Sequence, residues 1–387
     1  MYLFLITFLT LYGGMHLYAF LRLRAAFRPK PHLQWFLILW MAAMTFIPLL
    51  VRAAELFGME KTAQTIAWPG YIWMGFLFIF TSFMLFADSA NTFYRFVARR
   101  ISKRFPETIS SHNLCRIILA LTMVASVYAF IEAGQIRSEH VVISSAKLPP
   151  STSRIRVVQI SDMHIGLLSH NGRQAQIVQK IREAGPDILV CTGDLVDGKL
   201  NRDDRISEHD PLAALLASIP APYGKFAVIG NHEVYAGLPQ AIAFTQAAGF
   251  AILRNQSVKL KSGITISGVD DLAVNPGAVT NITTETALLG LVSLDSYHIL
   301  LKHRPDIPPE SDGHFDLQLS GHVHGGQIFP FNFFVKLRHH IPCGTTVTAA
   351  GSRIHVSRGS GTWGPPMRLF APPEVTVIDI VPNRTAR

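Results

Sequence analysis

The sequence predicts an α/β domain behind a four-helix transmembrane region. Three observations lead there. Four apolar stretches, each near the length of a membrane-crossing helix, occupy the first 144 residues. From Arg154 onward, short β-rich runs alternate with helical stretches. Five short motifs carrying histidine and aspartate recur in that second half, each directly after a β-rich run. The boundaries that follow are 1–144 for the membrane region, 145–153 for a linker and 154–387 for the α/β domain.

The apolar stretches are Tyr2–Leu21, Leu33–Val51, Trp68–Ala87 and Leu114–Ala133. A helix needs roughly 20 residues to cross the hydrocarbon core, and each stretch approaches that length. No Lys or Arg precedes the first run and arginines follow it, so an uncleaved span is expected rather than a secretory leader. The fourth carries Arg116 and Glu132 near its ends, where long side chains reach the interface. Trp35, Trp40, Trp68, Tyr71 and Trp73 fall near helix ends, as interfacial aromatic belts do. His16 has no partner at ligand spacing and reads as a packed polar residue.

Loop charge orients the spans. The first loop carries Arg22, Arg24, Arg28 and Lys30, and the third carries Arg95, Arg99, Arg100, Lys103 and Arg104. The second is balanced, with Arg52 and Lys61 against Glu55 and Glu60. Positive loops stay on the cytoplasmic side. The expectation is a multi-pass integral membrane protein with its N-terminus and its α/β domain on the extracytoplasmic face.

Charge also excludes a function. Residues 1–144 hold 13 Lys+Arg against 6 Asp+Glu, whereas residues 145–387 hold 22 against 20. Most of the formal net charge of +9 therefore flanks membrane helices. A nucleic-acid footprint would need a basic excess on the folded domain, so no nucleic-acid partner is expected. Cys115, Cys191 and Cys343 lack paired spacing, which gives neither a disulfide framework nor a CxxC metal site.

In the second half, runs at Arg156–Ile160, Asp187–Cys191, Lys225–Ile229, Tyr297–Leu301 and Phe315–Leu319 read as strands, and Gln174–Ala184 as an amphipathic helix. The strands deliver Asp162-Met163-His164, Gly193-Asp194-Leu195-Val196-Asp197, Gly230-Asn231-His232-Glu233, His303 and Gly321-His322-Val323-His324 onto the loops beyond their ends. Such strand ends are where α/β proteins place their sites.

Candidate metal ligands among these are Asp162, His164, Asp194, Asn231, His303, His322 and His324: two carboxylates, an amide oxygen and four imidazoles. Nitrogen and oxygen donors of this mixture suit Mn, Fe or Zn. They suffice for two divalent cations, with Asp194 able to supply the anionic bridge. Paired cations lower the proton affinity of a water and clamp phosphoryl oxygens, the chemistry of phosphoester hydrolysis. His232 is left over for acid catalysis, and Asp197 can orient it. Any one motif alone is a chance-level signal; the ordered set after successive strands is specific.

The order D-x-H, GD-x-x-D, GNH-D/E, H, GH-x-H resembles the calcineurin-like metallophosphoesterase superfamily over about residues 154–380. Gly325-Gly326-Gln327, Ser357-Arg358-Gly359 and Pro372-Pro373-Glu374 look like its membrane-associated phosphodiesterase branch. The resemblance implies a sandwich of two mixed β-sheets flanked by helices. It implies one metal held by Asp162, His164, Asp194 and His324, and a second by Asp194, Asn231, His303 and His322. His232 would be the catalytic histidine, paired with Asp197.

Two segments stay open. Four phenylalanines beside a basic cluster in 327–343 could contact lipid, or could be an ordinary strand and loop. Trp363 and Met367 could wall a substrate cleft or cap a sheet. The function expected is a membrane-anchored, binuclear metal-dependent phosphohydrolase cleaving a diester, monoester or pyrophosphate, its substrate lipid-linked in one version. The alternatives are a pyrophosphatase acting on a nucleotide-linked lipid precursor, and a phosphate-binding membrane sensor without turnover.

Overall fold

The computed structural model describes residues 2–101, 110–149, 151–168, 171–198, 210–274 and 281–383. Two compact units result. One comprises Met1–Ile131 with Ile328–Pro330 and Gly364–Leu369; the other comprises Glu132–Gln327, Phe331–Trp363 and Phe370–Arg387.

The first unit is built from α1 (Tyr2–Phe27), α2 (Pro31–Leu56), α3 (Glu60–Ile101) and α4 (Ser111–Glu132). Pro31 opens α2, where its fixed φ suits a first helical residue and its missing N–H costs nothing. Tyr12, Leu77, Phe80, Met84, Cys115 and Ile118 pack into one buried cluster. His16 is bonded on both nitrogens, Nδ1 to the Tyr12 carbonyl at 2.8 Å and Nε2 to the Trp73 indole N–H at 2.9 Å. Large apolar side chains also face outward, among them Leu11, Leu39, Phe46, Phe86, Val124 and Val127. That is the pattern of helices solvated by hydrocarbon rather than water.

Two expectations need correction. Among the described residues three helices, not four, are long and apolar enough to cross a membrane: Pro31–Leu56, Glu60–Arg100 and His112–Glu132. α1 is a full helix of 26 residues, the length of α2, but is not among these three. Secondly, Arg95, Arg99 and Arg100 lie in α3 rather than in a loop. No helix-breaking residue follows Ala87, so the helix continues to 42 residues, about 60 Å at 1.5 Å per residue, twice the thickness of a bilayer core. Lys103 and Arg104 lie outside the described residues.

The second unit contains two six-stranded mixed sheets. The first runs β1 (Arg137–Ser145), β14 (Glu374–Pro382), β2 (Ile155–Ile160), β4 (Ile188–Cys191), β6 (Lys225–Ala227), β7 (Ala251–Ile252). It is parallel except where β14 meets β2. The second runs β12 (Gly344–Val347), β13 (Arg353–Val356), β11 (Leu317–Ser320), β10 (His298–Leu301), β9 (Thr265–Gly268), β8 (Gln256–Lys259), with antiparallel pairs only at its two edges. A two-residue parallel ladder joins β3 (Ile165–Gly166) to β5 (Val196–Asp197).

Alternation along the strands explains the layers. Val157 of β2 and Ile188 and Val190 of β4 share a core with Ile266, Ile299, Leu301, Leu317 and Leu319 of the other sheet. Their neighbours Val158, Ile160, Leu189 and Cys191 face a separate core with α5 (Asn171–Ala184), α6 (Pro211–Ala217) and α8 (Leu238–Ala247). Strands buried on both faces read as continuous apolar runs. Leu300 turns the outer face of the second sheet toward Leu288 and Leu289 of α9 (Asn281–Gly290). Arg156 forks onto Asp379 through Nε–Oδ1 and Nη2–Oδ2 contacts of 2.7 Å each, tying β2 to β14.

β1 pairs with β14 from Arg137, so residues from Glu132 group with the α/β unit, ahead of the 145–153 segment read as a linker.

Candidate metal centre

The C-terminal ends of β2, β4, β6, β10 and β11 point to one edge of the sandwich, and the loops beyond them carry all nine predicted residues. Backbone bonds lace the first two loops together: Asp162 N–H to the Gly193 carbonyl at 3.0 Å, His164 N–H to that of Asp194 at 3.0 Å, and Ile165 N–H to that of Leu195 at 2.8 Å. The third loop opens α7 (Asn231–Ala236), where Asp194 Oδ1 accepts from the His232 N–H at 2.9 Å. Asp162 takes the His322 N–H on both carboxylate oxygens at 3.1 Å.

Two groups of side chains converge separately. Ligand atoms of Asp162, His164 and His324 lie within 4.8 Å of one another, as do those of Asp194, His303 and His322. In the first, His164 Nε2 and His324 Nε2 are 3.0 Å apart; in the second, His322 Nδ1 and His303 Nε2 are 3.2 Å apart. Asp194 stands between them, its Oδ2 3.1 Å from His303 Nε2 and 4.0 Å from His164 Nε2. His303 Nδ1 donates to the Thr192 carbonyl at 2.8 Å, which orients the ring and frees Nε2 to face the site.

The residues fit divalent cations on three counts. Asn231 Oδ1 is buried without a hydrogen-bond partner, as an amide ligand awaiting a cation would be. A side chain at Gly230 would collide with Asp194 Oδ1, and one at Gly321 with Asp162 Oδ2, so both glycines make room for the carboxylates. Nine described non-glycine residues have positive φ, and five of them are Asp162, His164, Asp194, His322 and His324. Left-handed backbone costs a non-glycine residue about 1 kcal/mol or more and persists where function demands the geometry.

Electrostatics follow from the crowding. Burial and then the neighbouring Asp194 push the Asp162 carboxyl up. Asp194 is itself almost fully buried, which alone would raise it, yet His303, His232 and His164 together hold it well below the usual carboxylate range. His303 is opposed by burial but lifted to about 10 by Asp194 and Asp162. His322 is driven down to about 2 by burial and by the positive His303 and Arg304. Asp194 and His322 are thus already in the deprotonated form that a metal ligand needs, whereas a cation entering the site would have to displace the protons that burial and the carboxylates favour on Asp162 and His303.

His232 and Asp197 sit at the side of the first group. His232 Nδ1 and Asp197 Oδ1 are 2.9 Å apart, and Asp197 Oδ2 lies 3.6 Å from His164 Nδ1. His164, Asp197 and His232 thus form a third group whose atoms could reach a common ion. The 2.9 Å bond uses the ring nitrogen and the carboxylate on each other, so an orienting pair describes this contact better than two ligands. Burial lowers His232, but the bond to Asp197 and the charges of Asp194 and Asp197 raise it to about 9.

Some participants were missed. Glu233 is buried and accepts four backbone N–H groups, from Asp194 (3.0 Å), Leu195 (2.6 Å), Val196 (3.1 Å) and Gly230 (2.8 Å). It clamps the second motif to the third. Arg304 Nη1 lies 3.3 Å from His322 Nε2, and its Nε meets Asp271 Oδ2 at 2.7 Å. Adjacency to His303 was the one signal for Arg304; nothing local marked Asp271. Of the two open cleft residues, Trp363 stacks edge-on to His232 at 5.4 Å, whereas Met367 is buried with Ile79, Ala129 and Ile328 in the helical unit. The ring of His339 lies 5.7 Å from that of His322.

A two-sheet α/β sandwich with a histidine–aspartate cluster at converging strand ends defines a metal-dependent hydrolase. The family of calcineurin-like phosphoesterases matches residues 155–326. An uncharacterised metallophosphoesterase of Aquifex aeolicus (strain VF5) is 39% identical over 261 residues, covering 67% of this chain and 97% of the relative. One from Campylobacter jejuni is 30% identical, covering 77% of this chain and 78% of the relative. A zebrafish (Danio rerio) transmembrane protein with metallophosphoesterase domain is 29% identical, covering 79% of this chain and 71% of the relative. The chain belongs to the calcineurin-like metallophosphoesterase family, and it is a metal-dependent phosphoester hydrolase.

Proposed function

We propose that this protein is a membrane-anchored phosphohydrolase with two divalent cations, working on a phosphoester presented near the membrane. The observation that carries the reading is Asp194 standing between two separate ligand groups. One cation would be held by Asp162, His164, Asp194 and His324, and the other by Asp194, Asn231, His303 and His322. Bound there, the pair would lower the proton affinity of a water and neutralise phosphoryl charge. The chain's own residues would do the rest. Glu233 holds the loops of Asp194 and Asn231 in register. Asp197 fixes the His232 ring through Nδ1, leaving Nε2 to give a proton to the departing oxygen. Trp363 and Tyr235, each 5.4 Å from that ring, restrict where it can swing.

Metal content and turnover test this together. The full chain, stripped and reloaded in turn with Mn, Fe or Zn, is expected to hydrolyse nitrophenyl phosphate or bis(nitrophenyl) phosphate with two ions per chain. Full activity at one ion would leave a mononuclear site. Two ions with no turnover of either ester would favour a phosphate sensor.

Membrane anchoring is supported by three helices of spanning length and apolarity and by relatives named as transmembrane proteins. Orientation follows from charge: Arg95, Arg99 and Arg100 close α3, and such a basic end stays cytoplasmic. α4 then exits, placing the α/β domain outside whether or not α1 spans. A reporter active only outside the cytoplasm is expected to work when fused after Arg387 and to be silent when fused after Arg100. The reverse pattern would put the site in the cytoplasm and favour a nucleotide-linked lipid precursor as substrate.

A further inference from the structure

The apolar and basic segment after the last metal motif forms α10 (Phe331–Arg338), not the strand and loop that its phenylalanines suggest. Its sides are inverted relative to a soluble helix. Asn332 and Val335, three residues apart, share the inner side, and Val335 packs against the cluster of Val323, Ile354 and Val356. Phe333 and Leu337, four apart, share the outer side with Phe334, and these are 55%, 79% and 59% exposed. Lys336 and Arg338 are one residue either side of Leu337, so at about 100° per residue they flank this apolar ridge on both sides. Three large apolar side chains between two cations match a helix lying in a headgroup layer, with apolar groups toward the acyl chains and long basic stems reaching back to phosphates.

We infer that α10 is an interfacial helix that seats the rim of the metal centre on a lipid bilayer. The charges on either side of the apolar ridge, Lys336 and Arg338, are both basic, which favours phosphate headgroups over a protein partner. At the end of α10, His339 bonds back to the Val335 carbonyl at 2.7 Å and meets the His322 ring. A phosphoester at the lipid surface would therefore lie beside the candidate ligands. This inference rests on the membrane reading of the helical unit.

Spin-label depth measurement tests it on the full chain in nanodiscs of phosphatidylcholine and phosphatidylglycerol. Cys343→Ser removes the half-exposed thiol, and Cys115 and Cys191 are buried. Nitroxides are then placed singly by Leu337→Cys, by Met123→Cys on the outer side of α4 and by Leu291→Cys on an exposed turn of the α/β unit. The ratio of oxygen to nickel-chelate collisions at Leu337 is expected to exceed that at Leu291 at least several-fold and to approach that at Met123. A ratio at Leu337 equal to that at Leu291, with Met123 oxygen-rich, overturns the inference while leaving the anchor intact. An immobile label at Leu337 shielded from both reagents also overturns it, in favour of a protein contact. A nickel-accessible Met123 overturns both this inference and the membrane reading.

Discussion

Replacing Asp194 with alanine is expected to abolish hydrolysis and metal content together. The side chain is almost fully buried at the junction of the two ligand groups, 3.1 Å from His303 Nε2. Removing it takes away the carboxylate that stands between the two groups and leaves buried His303 without the anion 3.1 Å from its Nε2. Asp194→Asn is the sharper variant, because it keeps the volume and the acceptor for the His232 N–H but loses the charge. The Asn variant should fold, since Glu233 still holds the backbone at Asp194, Leu195 and Val196. Its rate should nonetheless fall by at least about three orders of magnitude, the scale seen when a catalytic unit is broken. Atomic-emission metal counts and nitrophenyl phosphate turnover read the two effects side by side. A variant retaining two ions and a near-normal rate would remove the basis for Asp194 as bridge.

The candidate residues were legible because chemistry is written in residue type. Asp, His and Asn at strand ends stand out wherever the chain goes, and the loops that carry all nine converge on one edge. The left-handed φ of five of them was not legible, because residue type does not record a conformation that the fold imposes against preference. Glu233 was visible as the end of the third motif, but its four N–H partners come from two loops some 38 residues apart in sequence, including Asp194 and Leu195. Long-range pairing hid β1 in the same way. Arg137 pairs with Glu374, and no local window contains both. The helical unit was misjudged at its margins for a different reason. Hydropathy finds apolar runs but not where an uninterrupted helix stops, so α3 was cut short at Ala87. Aromatic residues favour strands on average. In α10, spacing of apolar groups by three and four overrode that preference.

Replacing His232 with alanine is expected to separate chemistry from metal binding. The ring lies beside the first ligand group, its centroid 4.7 Å from that of His164, yet its Nδ1 is engaged by Asp197. If it serves as proton donor, His232→Ala should keep both ions and lose about two or more orders of magnitude in rate, the usual scale for a lost general acid. The loss should shrink as the leaving group improves, because nitrophenolate departs without a proton whereas an alkoxide does not. Asp197→Asn should share this dependence in milder form, since it weakens the orientation of the ring without deleting it. An equal loss across leaving groups would assign His232 to holding phosphate rather than to proton transfer. The competing arrangement, in which His164, Asp197 and His232 take up an ion, makes a different forecast. There the alanine variant would lose a metal, and good and poor leaving groups would suffer alike. Counting ions in His232→Ala before any rate is measured therefore decides between the two, and the 2.9 Å contact to Asp197 favours the proton donor.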